Sequence, residues 1–227
     1  MTGNKVTVLP RIQCPSLKNL VLDENQIAEV QLAGHPSLIN LSMNQNFLTN
    51  CLCLSDMPKL ESLSLVEQKG VKMVEKVDED TQEKTTEEVP ALLETVQGLE
   101  NLPQLRKLNL ATNKLPDLSS LPELPNLREL TLDGNPIAKL EDLHHLRKYG
   151  NLTDLNMAGC PIAEEKGEEF KKEVIIALCD NRKLDKVNGD KITDEDREAA
   201  MKEMEERQRA AEGKPPADDD AMGSDDN

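Results

Sequence analysis

A short apolar phrase, Leu-x-x-Leu-x-Leu-x-x-Asn-x-Leu, recurs along the chain at a nearly constant step. This repetition limits the possible folds more than any other feature. Leu17, Leu20, Leu22, Asn25 and Ile27 form one copy, and Leu38, Leu41, Met43, Asn46 and Leu48 the next. Leu60, Leu63 and Leu65 follow, with Gln68 at the Asn position. Leu105, Leu108, Leu110, Asn113 and Leu115 form a fourth copy; Leu127, Leu130, Leu132, Asn135 and Ile137 a fifth; Leu152, Leu155, Met157, Cys160 and Ile162 a sixth. The first leucines of successive copies lie 21, 22, 45, 22 and 25 residues apart.

Each copy predicts a short strand whose leucines point to one side. The chain then turns and returns along a convex side, so that the next strand lies parallel to the last and the stack buries one aliphatic layer. The Asn falls in the turn, where its amide pairs with backbone groups buried between turns; one such group left unpaired costs about 1–3 kcal/mol. Asn25, Asn46, Asn113 and Asn135 make this ladder, and Cys160 takes the position in the last copy. Gln68 is expected to fit it poorly and to leave the third copy irregular. With no Trp, one Tyr and two Phe, aliphatic side chains must do nearly all the packing, which a stack of equal layers permits. The expected architecture is α/β: a solenoid with a parallel sheet on its concave face, a C-terminal helical cap and a projecting charged helix.

Residues 1–14 are a lead-in, 15–66 the first half of the solenoid, and 96–162 the second half. Between them, 67–95 is read as an acidic insertion. It holds Asp78-Glu79-Asp80, Glu83, Glu87 and Glu88, and Val71, Val74 and Val77 suggest a weak amphipathic helix. Residues 163–192 form the cap, where Phe170, Val174, Ala177 and Leu178 share one helical face. Thr193 followed by Asp194-Glu195-Asp196 starts a charged helix over 193–212. The Asp-rich tail, 213–227, is too polar to fold alone. At the other end, Val6, Val8 and Ile12 supply at most a makeshift cover, so a partner or the N-terminal segment itself is expected against the first repeat.

The net charge is −16, with 43 acidic and 27 basic residues. That balance argues against nucleic acid as a direct ligand and against anionic membrane surfaces. It favours other proteins with basic surfaces as partners. Cys14, Cys51, Cys53, Cys160 and Cys179 do not have the spacing of a disulfide framework or a zinc site. His35, His144 and His145 have no nucleophile or carboxylate placed to work with them. No enzyme activity, cofactor or metal is expected, and no signal peptide or membrane span is visible.

In this register the residues between the leucines face the concave side. The candidate protein-binding set is Asp23, Glu24, Asn44, Glu67, Lys107, Glu129, Asp133 and Asp154. Its acidic excess predicts a basic partner surface.

The period, together with Leu108-Asn109-Leu110-Ala111-Thr112-Asn113, resembles the short intracellular leucine-rich-repeat class typified by a regulatory subunit of protein phosphatase 1. Lys183-Leu184-Asp185-Lys186, leading into Asp194-Glu195-Asp196-Arg197-Glu198, resembles the cap of axonemal leucine-rich-repeat proteins of the radial-spoke type. That resemblance implies a structural role in motile cilia and a cytoplasmic, axonemal location. The acidic leucine-rich nuclear phosphoproteins share the cap and have an acidic tail that Asp218 to Asp226 resembles; they imply a nuclear regulator that binds a phosphatase or histones.

Overall fold

A computed structural model describes residues 2–9, 14–30, 32, 35–54, 57–77 and 84–212. Three-residue strands stack at the repeat period: β1 (Asn19–Val21), β2 (Asn40–Ser42), β3 (Ser62–Ser64), β6 (Lys107–Asn109), β7 (Glu129–Thr131) and β8 (Asp154–Asn156). They pair in parallel, leucine against leucine, with Leu20 beside Leu41, Leu41 beside Leu63 and Leu130 beside Leu155. β9 (Lys186–Val187) extends the sheet in parallel, and β10 (Asp190–Lys191) closes it antiparallel. The central leucines of β2, β3, β6, β7 and β8 are buried, whereas Leu20 at the open edge is only half covered. The one tyrosine, Tyr149, is buried within the 25-residue step between the fifth and sixth copies and donates its hydroxyl to the Pro122 carbonyl at 2.6 Å.

The inserted segment is not a helix. β4 (Lys69–Val77) and β5 (Lys84–Leu92) form an antiparallel hairpin, and β3 pairs directly with β6 across its base. The valines that suggested a helical line belong to a run dense in β-branched residues (Val71, Val74, Val77, Thr85, Thr86, Val89), and these favour the extended chain. Taking residues 69–92 out of the 45-residue spacing leaves 21, the length of the first step. The insertion is therefore narrower than 67–95 and leaves the stack in phase. The run Asp78-Glu79-Asp80 with Glu83, and the tail 213–227, lie outside the described residues.

At the N-terminus the chain supplies its own cover. Gln26 donates its N–H to the Val6 carbonyl at 2.9 Å, Val6 donates to Asn25 Oδ1, and Val8 bridges Glu29 in parallel. Leu9 is buried, but Val8 stays exposed, so the cover is thin.

The C-terminal cap is thicker. α1 (Pro161–Lys166) leads through a tight turn to α2 (Phe170–Ala177), which buries Phe170, Val174 and Ala177, with Leu178 just beyond. α3 (Asp194–Ala211) opens with a reciprocal capping box: Asp196 N–H donates to Thr193 Oγ1 and Thr193 N–H donates to the Asp196 carboxylate. This charged helix does not project. It lies along α2 with Ala200 buried, and Arg207 donates both terminal nitrogens to the Glu173 carboxylate at 2.8 Å each. Lys171 meets Asp196 at 2.8 Å, and Arg197 donates to the Leu184 carbonyl. The weak apolar line of α3 hid this docking, because charge-assisted bonds hold the helix where apolar area does not.

Candidate protein-binding face

Two ladders of side chains join the turns. The inner one is the expected asparagine series. Asn46 Oδ1 accepts the Ile27 N–H while its amide donates to the Leu22 carbonyl, and Asn135 Oδ1 accepts the Leu115 N–H while donating to the Leu110 and Leu132 carbonyls. Asn25 and Asn113 are used in the same way. Cys160 donates its thiol to the Leu132 carbonyl, and burial pushes that thiol up from its ordinary pKa.

Gln68 is a full member of this ladder, not a misfit. Its carbonyl oxygen accepts the Leu48 N–H at 3.2 Å and its amide donates to the Met43 carbonyl at 2.7 Å. The extra methylene is accommodated at the step where the chain leaves for the hairpin, and the Gln68 N–H is taken by Asn113 Oδ1 at 2.9 Å.

The outer ladder runs along the concave face, and the repeat pattern did not foretell it. Asp23 Oδ1 accepts the Asn44 N–H at 2.8 Å and the Ser42 hydroxyl at 2.6 Å. One turn on, Asn44 Oδ1 accepts the Val66 N–H and the Ser64 hydroxyl, both at 2.8 Å. Asp133 Oδ1 accepts the Ala158 N–H at 2.9 Å. Three of the eight candidate binding residues thus tie one turn to the next. An Asp or Asn three residues after the strand leucine was the available signal, joined in the first two cases by a Ser just after the strand leucine of the next copy.

The other five sit where a partner can reach them. Adjacent strands lie about 4.8 Å apart, and at the strand entry Lys107 pairs with Glu129 at 2.7 Å while Lys186 pairs with Asp154 at 3.2 Å. These pairs neutralise most of the acid expected there. At the strand exit Glu24 and Glu67 flank Gln45, whose amide donates to Glu67. Both acids and Gln45 occupy left-handed turns, with φ of 56°, 52° and 53°, as does Thr112 at 57°; Gly134 and Gly159 hold that position later. The concave face is therefore charged unevenly, closely ion-paired at the strand entry and acidic at the exit of the first and third repeats, where Lys69 meets Glu67 only at 3.5 Å.

His35 is buried and its Nδ1 lies 3.2 Å from the Leu32 carbonyl, which makes it a turn residue. His144 and His145 are exposed on a 3-10 segment of the convex side. Among the described residues no group of three His, Cys, Asp or Glu side chains is placed to hold a metal, and no helix is long and apolar enough to cross a membrane.

Comparison with known proteins agrees with this architecture. A family model described as leucine rich repeat matches residues 96–137. No curated protein matches the chain significantly. Among solved structures, an internalin from Listeria monocytogenes is 19% identical with a TM-score of 0.51 and covers 77% of this chain, which spans 48% of the internalin. A Drosophila melanogaster SNF/U2A' complex gives 17% identity, a TM-score of 0.44 and coverage of 83% of this chain and 86% of that one. The six-fold phrase, the in-register parallel stack and the family model over the fourth and fifth copies together give this chain the leucine-rich-repeat solenoid fold.

Proposed function

We propose that the chain is a non-enzymatic scaffold that holds other proteins against its concave face. The observation that carries this reading is the sheet itself: a rigid, in-register array whose exposed charges converge on one side of the molecule. The acidic exit rim, with Glu24 exposed and Glu67 half-buried around Gln45, suits a basic protein surface. Glu24→Lys together with Glu67→Lys tests it, because neither carboxylate holds a neighbouring turn through its backbone N–H. The partners recovered with the tagged wild-type chain should be lost from the double variant, while its melting temperature stays within a few degrees. Unchanged recovery would move the interface off this face.

The finer reading is a structural component of the ciliary axoneme, in the cytoplasm, within a large assembly. Its support is the resemblance of Lys183-Leu184-Asp185-Lys186 and the following acidic helix start to the axonemal class. A tagged copy should remain with salt-washed axonemes. A purely nuclear signal would replace this reading with that of an acidic regulator of a phosphatase or of histones.

A further inference from the structure

The cap carries a second surface, away from the sheet. Between α2 and α3 runs an apolar groove of about 550 Å³, lined by Ile176, Cys179, Ala200, Met201 and Met204 with Arg197 at its rim. Two properties indicate what covers it. Met201 stands out from the rim at 57% exposure, so one surface carries both a flexible apolar knob and a hole able to take such a knob. That is self-complementarity, the requirement of a two-fold contact in which each copy gives what the other receives. An unbranched methionine is suited to filling an irregular hole.

The second property is charge. The first eight residues of α3, Asp194 to Met201, hold four acids and one base, and its last ten hold three of each. Antiparallel pairing of two such helices sets the acidic half against the balanced half and opposes their dipoles, whereas parallel pairing sets acid on acid.

We propose that the cap docks onto the cap of a second copy of this chain, α3 antiparallel to α3 about a two-fold axis, with Met201 of each copy seated in the α2–α3 groove of the other. The contact is small. An 18-residue helix is about 27 Å long, and a strip of that length about 10 Å wide falls well short of the roughly 800 Å² per partner of a standard interface. Each copy also carries a net charge of −16. The dimer is therefore weak, and added salt tightens it by screening the mutual repulsion.

Sedimentation equilibrium of the full chain, from low micromolar to near-millimolar concentration and at low and high salt, tests this directly. The weight-average mass should climb from the monomer value toward the dimer value, and further at high salt. Met201→Lys should abolish the climb without changing the melting temperature. Alkylation of Cys179, read by peptide mass spectrometry, should slow several-fold with concentration in the wild type and not in the variant. A mass that stays monomeric at every concentration and salt overturns the proposal and leaves the groove to a different protein. A Met201→Lys chain that dimerises as well as the wild type, or Cys179 alkylation indifferent to concentration in a dimerising wild type, overturns it in favour of another face.

Discussion

Asn135 illustrates how much one side chain contributes to the stack. It takes one N–H and supplies two carbonyls, all buried between turns where water does not reach. Asn135→Ala leaves those groups unpaired and should destabilise the chain by about 3 kcal/mol in urea unfolding. A loss below half a kilocalorie would mean that the ladder is ornamental. Gly98 is constrained by space instead. Its φ is +107°, and a Cβ there would lie 2.4 Å from the backbone carbonyl of Cys51. Gly98→Ala should cost at least about 2 kcal/mol because neither backbone can yield, and thermal melting of the variant checks it. The sequence displayed both residues but explained only one. Asn135 sits in a repeating phrase, while the contact of Gly98 with Cys51 joins segments on either side of the hairpin and has no local signature.

The same division holds among elements. The strands and the cap helix face were legible because their apolar spacing is local: Leu105, Leu108 and Leu110 declare β6, and Phe170 with Val174 declares α2. The hairpin was misread because three valines at helical spacing were weighed without the threonines that pair with their strand. The docking of α3 was missed because Glu173 and Arg207 are 34 residues apart and meet only after the cap has folded. That docking is sensitive to acid. The Arg207 guanidinium holds the Glu173 carboxyl below its usual range, and Lys171 does the same for Asp196, with help from Thr193. Carboxyls depressed in the folded state stabilise it above the ordinary carboxylate pKa and lose that effect as pH falls through the folded values. Below about pH 4, hydrogen-exchange protection of α3 should therefore drop ahead of that of β6 and β7. Equal loss in both would show that the ion pairs do not hold the helix.

For the whole molecule, the period belongs to the stack and not to the chain. Lys69 pairs with Leu92 at the base of the hairpin, and the flanking residues Gln68 and Leu93 both bond to the next turn. Joining Gln68 directly to Leu93 should give a folded solenoid with six strands in phase, its cooperative melting shifted by only a few degrees. Loss of cooperativity would show that the hairpin is needed to bridge the two halves. Sequence period alone fixed the architecture, yet it could not tell which polar residues on the concave side were free. Asp23, Asn44 and Asp133 look like ligand-facing residues in a repeat alignment and act as ties in three dimensions.

The unequal ends of the stack have a mechanical meaning. Its N-terminal turn rests on a thin cover with Leu17 and Leu20 half exposed, while its C-terminal turn is clamped by α3. Bonds between turns run along the stack, so tension applied to the two termini loads them one layer at a time. Single-molecule stretching should unravel the chain from the N-terminus in small steps, each releasing about 75 Å of contour for a turn of some 21 residues, with the cap the last to yield. One abrupt rupture of the whole stack would contradict this. A protein built this way gives length under load from one end while keeping its grip at the other.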